Sequence, residues 1–162
     1  MGEIWLSGPS KAQGYWGRPE LTQEAFKAKL GGDGQTEEYL RTGDLGFLHE
    51  GQVYICGRLK DLIIVQGRNY YPQDIEGTLC AAHAAVRPGC TAAVCLEVCG
   101  EDKLVVLAEL RQNNSDNATC TEVLKAIQYT VSSEHGLEPW AILLLKERTI
   151  CKTTSGKIRR RL

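Results

Sequence analysis

Residues 57–76 read GRLKDLIIVQGRNYYPQDIE, which combines a basic turn, an apolar run and the start of a helix. The run Leu62–Val65 is continuous and β-branched, so it predicts a strand buried on both faces. Pro72 suits the first turn of a helix, where its missing N–H costs nothing. Ile75 and Leu79 lie four residues apart and predict the inner face of that helix.

The sequence after residue 76 also predicts both strands and a helix. Two apolar runs, 91–98 and 103–110, predict strands joined at Gly100–Asp102. Thr119 and Glu122 have the spacing of a capping box, followed by a helical stripe of Val123, Leu124, Ile127 and Val131. Residues 140–145 predict a last strand. These elements together predict an α+β domain from about residue 58 onward, with helices packed on a mixed sheet.

The sequence before this stretch predicts mostly strands. Residues 3–7 alternate like a strand, and Gln52–Cys56 alternates after the turn at His49–Gly51, which predicts a hairpin. A short helix is predicted after Thr22 as its N-cap, with Phe26 and Leu30 on one face, ending at the glycine-rich loop 31–34. No pair of helices is predicted that could cover these strands.

The composition is that of an ordinary globular protein. The 162 residues are 43% hydrophobic and 24% charged, with a formal net charge of −1. Such a charge gives no global attraction to nucleic acid or to an acidic membrane surface. Neither a run of about 20 apolar residues nor a signal-peptide core occurs. We therefore expect a cytoplasmic protein without a membrane span or a nucleic-acid partner.

The seven cysteines do not form a recognisable framework. Their number is odd, and none are spaced as Cys-x-x-Cys. Cys90, Cys95 and Cys99 cluster in sequence, but the three histidines are scattered and offer no obvious fourth ligand. We expect free, mostly buried thiols and no metal site.

Asp44 and Arg58 are candidate ligand-binding residues. Asp44 follows a Thr-Gly turn between strands, where a carboxylate can accept hydrogen bonds from a diol such as a ribose. The alternative is an Asx-type turn residue. Arg58 stands beside Gly57 and could fork onto a hydroxyl pair or a phosphate. Its alternative is a surface ion pair with Asp61 or Asp44.

Lys157 is a candidate catalytic residue in a basic, glycine-containing tail. In a flexible Ser155-Gly156-Lys157 loop, its ammonium could reach a negatively charged reacting group. The segment is not a Walker A loop, because Ile158 stands where Ser or Thr is required and Cys151 where glycine is required. The alternative is a solvated basic tail. The arginines at 159–161 lack interleaved aromatics and are weak evidence for nucleic-acid binding.

Four segments taken in order give these candidates a common context. They are residues 2–16, 39–45, 57–76 and 152–159, and together they resemble the later core motifs of the adenylate-forming superfamily. That superfamily includes acyl-CoA synthetases, luciferases and nonribosomal peptide adenylation domains. Segments 42–48, 57–64 and 67–76 are most similar to the fatty acyl-AMP ligases, which often load polyketide synthases, and the animal disco-interacting proteins carry similar modules.

The resemblance implies a domain layout and a role for each matched residue. Residues 1–57 would be the C-terminal edge of a large adenylating domain, and 58–162 a small mobile domain with its hinge at 58–61. Asp44 would bind the ribose hydroxyls of ATP and acyl-AMP, with Arg58 assisting. Lys60 would be the hinge residue, and Gly67 would lie on the loop that lines the thiol tunnel. Lys157 would reach the carboxylate and the α-phosphate during adenylation.

The implied activity is the ATP- and Mg²⁺-dependent conversion of a fatty acid to acyl-AMP. The acyl group would then pass to the phosphopantetheine thiol of an acyl carrier protein. Two alternatives stay open: an acyl-CoA synthetase that uses free CoA, and a non-catalytic interaction module of the same fold. The family's phosphate-binding loop and acyl pocket would lie outside these residues, so we expect this chain alone to be inactive.

Overall fold

A computed structural model describes residues 1–31, 36–111 and 116–160 of the chain. Its contacts divide the chain into two compact units, Met1–Lys60 and Asp61–Leu162. Residues 32–35, 112–115 and 161–162 lie outside the described residues. They include most of the loop predicted at 31–34 and Arg161 of the basic tail.

The first unit is built on an antiparallel sheet in the order β1–β2–β3. Its strands are β1 (Gly2–Leu6), β2 (Leu40–His49) and β3 (Gln52–Arg58). β2 and β3 form the predicted hairpin, with His49 paired to Gln52 across the turn. The two turn residues, Glu50 and Gly51, have φ values of 49° and 75°. Such positive values give a turn whose twist matches that of the strands.

The helix of the first unit, α1, runs over Pro19–Phe26 and therefore begins earlier than the sequence predicted. Pro19 occupies the first turn, where its fixed φ favours helix initiation. Thr22 is consequently inside the helix, and its hydroxyl donates to the carbonyl of Arg18 at 2.7 Å. The predictions of Thr22 as N-cap and of Leu30 within the helix were wrong.

The second unit combines a mixed sheet with two long helices. Its elements are β4 (Ile63–Val65), β5 (Arg68–Tyr70), α2 (Pro72–Ala82), β6 (Val86–Val98), β7 (Glu101–Leu110), α3 (Asn117–His135) and β8 (Ala141–Leu145). β7 pairs antiparallel with β6 and parallel with β8. A short 3-10 helix, Leu59–Asp61, precedes β4. The α+β class predicted from the sequence is confirmed.

The core of the second unit lies between the sheet and the two helices α2 and α3. Ile75 and Leu79 of α2 are fully buried there, and so are Val123, Ile127 and Val131 of α3. Both stripes predicted from helical spacing are confirmed, except that Leu124 is exposed. Burying one such side chain contributes about 1.5–3 kcal/mol, so these helices are held mainly by their inner faces.

Two local predictions for the second unit were wrong. Ile63 is buried, but its neighbour Ile64 is 45% exposed, so β4 buries one face only. The N-cap of α3 is Asp116 and not Thr119: its carboxylate accepts the backbone N–H of Thr119 at 2.9 Å and the Thr119 hydroxyl at 2.7 Å. An aspartate satisfies the free N–H groups of the first turn as well as a threonine would. None of the helices in the described residues is long and apolar enough to span a membrane.

Candidate functional site

Lys157 lies in a hairpin-shaped loop that is closed by backbone hydrogen bonds. Lys152 and Ile158 form an antiparallel bridge, and the Thr153 N–H donates to the Lys157 carbonyl at 2.8 Å. At the tip, the Gly156 N–H donates to the Thr153 carbonyl at 2.9 Å, and Gly156 has a φ of +81° that favours glycine. The segment around Lys157 is thus a loop, as predicted, and these hydrogen bonds close it. Its flexibility stays a prediction.

The Lys157 side chain is exposed on this hairpin. Its own N–H donates to the Thr153 hydroxyl at 3.1 Å, which fixes its backbone. No carboxylate among the described residues is within ion-pair distance of its ammonium. The Lys157 ammonium is thus exposed to solvent on a backbone that is held by hydrogen bonds.

The entry to the hairpin is held by Glu109, a carboxylate that is 1% exposed at the end of β7. It accepts the backbone N–H groups of Arg148 at 3.0 Å and Ile150 at 2.8 Å, and the Arg87 guanidinium at 2.8 Å. Burial alone would raise the pKa of Glu109. The hydrogen bonds from Ile150, Arg87 and Arg148 outweigh it and lower this pKa to about 2.

The exit from the hairpin is held by Arg160. Its Nε and Nη2 lie 2.8 and 2.5 Å from the two carboxylate oxygens of Glu76 on α2. Its Nη1 lies 3.4 Å from Asp61. The expectation of a solvated basic tail fails at this residue, because the guanidinium is only 16% exposed and is paired with two carboxylates.

Asp44 and Arg58 are brought together by the pairing of β2 with β3, where they are opposite residues. The Arg58 Nε lies 3.4 Å from an Asp44 carboxylate oxygen, with the arginine side chain 69% and the aspartate 35% exposed. The ion pair considered from the sequence is thus present. Because both groups are open to solvent, it leaves other guanidinium N–H groups and carboxylate lone pairs available to a ligand.

The turn before Asp44 is shaped by its neighbours. Gly43 has a φ of +72°, and its N–H donates to the Glu3 carboxylate at 3.1 Å. The Asp44 N–H donates to the Thr42 hydroxyl at 3.0 Å, and that hydroxyl donates to the Ile4 carbonyl at 2.7 Å. These bonds fix the backbone that carries the Asp44 carboxylate.

The two remaining predicted residues lie at turns. Lys60 is in the 3-10 helix Leu59–Asp61 and is the last residue of the first unit. Gly67 lies between β4 and β5 with a φ of +73°. It borders an open cavity of about 620 Å³ in the second unit, whose lining includes Val65, Gln66, Lys103, Leu104 and Trp140.

The structure pairs Asp44 with Arg58 in the first unit and places Gly67 and Lys157 in the second.

Sequence reasoning missed the residues that hold the Lys157 hairpin, namely Glu109, Glu76 and Arg160. A signal existed for Glu109, because it is a lone carboxylate in the otherwise apolar run 104–110. A buried charge in such a strand requires partners.

The cysteines are free thiols, as predicted, but they are not mostly buried. Cys90 is buried, Cys99 and Cys151 are exposed, and the other four are intermediate. The described residues contain no cluster of three or more His, Cys, Asp or Glu side chains arranged to hold a metal ion.

Comparison with protein families gives a match over residues 60–162. The matching family is described as Disco-interacting protein 2-like, AMP domain. Among curated proteins, the chain is 44% identical to the medium-chain-fatty-acid–[acyl-carrier-protein] ligase JamA of Moorena producens, with 99% of this chain and 27% of that protein covered. It is 38% identical to the long-chain-fatty-acid–AMP ligase FadD23 of Mycobacterium tuberculosis, at 99% and 27% coverage.

Solved structures give the same picture. A structure of fatty acyl-adenylate ligases from E. coli and L. pneumophila is similar with a TM-score of 0.77 and 35% identity, over 98% of this chain and 26% of that one. The McyG A-PCP complex with phenylalanyl-adenylate is similar with a TM-score of 0.79 and 28% identity, over 97% and 23%. The chain therefore spans about a quarter of the length of the proteins it matches.

Proposed function

The chain belongs to the Disco-interacting protein 2-like AMP-domain family, and on that basis we propose that it is the Lys157-bearing part of a ligase. The ligase activates a fatty acid as acyl-AMP with ATP and passes the acyl group to an acyl carrier protein, in the cytoplasm. The observation that carries the proposal is the exposed Lys157 ammonium on a closed hairpin, in a chain similar to fatty-acid ligases over 99% of its length.

In the first half-reaction, a carboxylate oxygen of the fatty acid attacks the α-phosphorus of ATP. A new P–O bond forms between this oxygen and the α-phosphorus. The bond between the α-phosphorus and the oxygen that bridges it to the β-phosphorus breaks, and pyrophosphate leaves. Two anions meet in this step, and charge accumulates on the phosphoryl oxygens. The Lys157 ammonium offsets that charge. Mg²⁺ accompanies the phosphates of ATP, and we assign no residue of this chain to it.

Asp44 and Arg58 bind the ribose in this proposal. A carboxylate accepts hydrogen bonds from both hydroxyls of a diol, and Asp44 is held on a fixed backbone with its side chain partly exposed. Arg58 has five N–H donors, of which one faces Asp44. The remaining donors suit the ribose oxygens beside that carboxylate.

In the second half-reaction, the phosphopantetheine thiol of the carrier attacks the acyl carbon. The thiol loses its proton, a thioester forms, and AMP leaves. Lys60 serves as the hinge that admits the thiol, and the Gly67 turn lines its path. Support for a carrier protein as the acceptor comes from the similarity to JamA, whose name specifies an acyl-carrier-protein ligase.

The test is the substitution Lys157→Ala in the full-length protein. We expect fatty-acid-dependent pyrophosphate release to fall by about 10²–10³-fold, because one positioned electrostatic contact in the transition state is lost. Thioester formation from synthetic acyl-adenylate should stay unchanged. Lys125→Ala removes an exposed lysine from α3 and is the matched control. Wild-type pyrophosphate release in Lys157→Ala, or equal slowing of both half-reactions, would reject the proposed role.

The same preparation separates the alternatives. Supplying free CoA in place of the carrier protein distinguishes an acyl-CoA synthetase, which would form acyl-CoA rapidly. A binding-only module of the same fold would release no pyrophosphate with any fatty acid, although it would fold normally.

A further inference from the structure

The C-terminal arm of the Lys157 hairpin leads to Arg160, whose side chain is mostly buried. Arg160 follows Lys157 by three residues, and the Arg159 N–H between them donates to the Cys151 carbonyl at 3.0 Å. The Arg160 guanidinium is 16% exposed, whereas the neighbouring Arg159 is exposed. Two adjacent arginines therefore have different surroundings, and one of them points back into the fold.

Arg160 and Glu76 form a two-pronged ion pair. Nε–Oε1 is 2.8 Å and Nη2–Oε2 is 2.5 Å, so both carboxylate oxygens are engaged by one planar guanidinium. This fork geometry fixes orientation as well as distance, which a single contact cannot do. The third contact, from Nη1 to Asp61 at 3.4 Å, limits rotation of the guanidinium about its long axis.

Glu76 is itself held in place and is therefore a firm anchor. Its Oε1 also accepts the Ala93 N–H of β6 at 3.1 Å, and its carbonyl accepts the Thr91 hydroxyl at 3.0 Å. These bonds tie the first turns of α2 to the sheet. The Glu76 side chain is 11% exposed, so solvent screens the ion pair only weakly.

We propose that Arg160 is a positioning residue for Lys157 and that Glu76 is the anchor through which it acts. The proposal rests on the role of Lys157 in adenylation given above. Hydrogen bonds within the hairpin set its shape, and the Arg160 side chain fixes where the residues after Lys157 attach to α2. A shift of this attachment moves the Lys157 ammonium relative to the reacting phosphate. Displacements of about 1 Å can cost roughly 10²-fold in rate.

Lysine cannot replace arginine in this role. An ammonium is a point charge with one centre, so Arg160→Lys keeps the charge and much of the length but loses the fork. A purely electrostatic or surface role would tolerate that change. A positioning role would not.

The test uses the full-length protein with Arg160→Lys, Glu76→Gln and, as control, Arg159→Lys. We expect Arg160→Lys and Glu76→Gln to lower kcat for fatty-acid-dependent pyrophosphate release by about 10–10²-fold. The KM for ATP should stay within about twofold, and transfer from synthetic acyl-adenylate should be unchanged. Arg159→Lys makes the same chemical change at the adjacent residue, whose side chain is exposed. It should change neither kcat for pyrophosphate release, nor the KM for ATP, nor the rate of transfer.

A double-mutant cycle separates positioning from general stability. If Arg160 acts through Lys157, then Arg160→Lys should have little further effect on adenylation in a Lys157→Ala background. If the rate losses of Arg160→Lys and Lys157→Ala multiply in the double variant, the proposal is overturned. It is also overturned if adenylation is unchanged in both Arg160→Lys and Glu76→Gln, or if these variants lose adenylation and transfer equally. Unchanged adenylation in Lys157→Ala alone would instead overturn the proposed function. Should Arg160→Lys fail to fold, Glu76→Gln, which keeps the size of the side chain, decides by the same criteria.

Discussion

At the scale of single residues, the buried Glu109 carboxylate joins chain segments that are far apart in sequence. It accepts hydrogen bonds from Arg87 on β6 and from the backbone of Arg148 and Ile150. A buried charge is tolerated only when its lone pairs are satisfied, and removing its charge leaves the opposing donors unpaired. Its contribution to stability should therefore be large and dependent on pH.

We predict that Glu109→Gln lowers the free energy of unfolding by about 3–5 kcal/mol at neutral pH. The glutamine NH₂ group would face an N–H donor that the carboxylate now satisfies. The folded-state pKa of Glu109 is depressed from 4.5 to about 2. The carboxylate's charge thus stabilises the fold above about pH 4.5, by roughly 3 kcal/mol, and this share is lost as the pH falls towards 2.

Denaturant unfolding of both proteins at pH 7 and at several values down to pH 3 measures this difference. The gap between wild type and Glu109→Gln should narrow as the solution is acidified. Glu97→Gln on the exposed part of β6 is the control and should leave stability within about 0.5 kcal/mol. A gap that stays constant over this pH range would contradict the assignment.

The candidate site was only partly predictable for a related reason. Asp44, Arg58 and Lys157 lie within short motifs, so a local reading of the chain finds them. Glu76 and Arg160 are 84 residues apart in sequence and meet only in the folded second unit. Sequence periodicity carries no information about such a pairing. The sequence therefore places Arg160 in a solvated basic tail.

At the scale of elements, features that depend on local sequence were predicted correctly, and features that depend on tertiary packing were not. Helices α2 and α3 and the hairpin β2–β3 follow from spacing and turn residues, which are local properties. The exposure of Ile64 depends on what covers β4, and the choice of Asp116 as N-cap depended on competition between neighbouring capping residues. Tertiary packing and small energy differences decide both, so the pattern alone misjudged them.

We predict that amides of β2 exchange with solvent faster than those of β7 in this chain. Each strand is the central one of its sheet, so edge position does not distinguish them. β7 is buried from Leu104 to Leu110 apart from the half-buried Leu107. In contrast, β2 and its neighbour β3 carry exposed apolar side chains, such as Ile55 at 61%. Strands with few buried apolar contacts open at lower cost.

Hydrogen–deuterium exchange of residues 1–162, read at single amides, measures this directly. β6, which pairs with β7 and is also largely buried from Cys90 to Ala93, provides an internal reference for slow exchange. Equal protection of β2 and β7 in a monomeric sample would contradict the prediction.

At the scale of the whole molecule, the chain carries both predicted nucleotide-binding residues and the predicted catalytic lysine, but covers only 27% of the length of JamA. Asp44 and Arg58 belong to the first unit and Lys157 to the second. A boundary between units at Lys60 is compatible with the proposed hinge, which stays a prediction until motion is measured. JamA thus has almost three quarters of its length outside the matched region, and we expect adenylation to require the counterpart of that region.

We therefore predict that residues 1–162 alone release no pyrophosphate from ATP and a fatty acid, and bind ATP with at best millimolar affinity. The Asp44 and Arg58 side chains are 35% and 69% exposed, so ribose contacts there replace hydrogen bonds to water at a net gain of about 0.5–1.5 kcal/mol each. A dissociation constant of 1 mM already requires about 4 kcal/mol, which two or three such contacts barely reach. Titration with ATP followed by NMR would show small shifts confined to the surroundings of Asp44, and Asp44→Asn should remove them. Pyrophosphate release above that of a heat-denatured sample, or micromolar ATP binding, would mean that these residues form a more complete site than their exposure indicates.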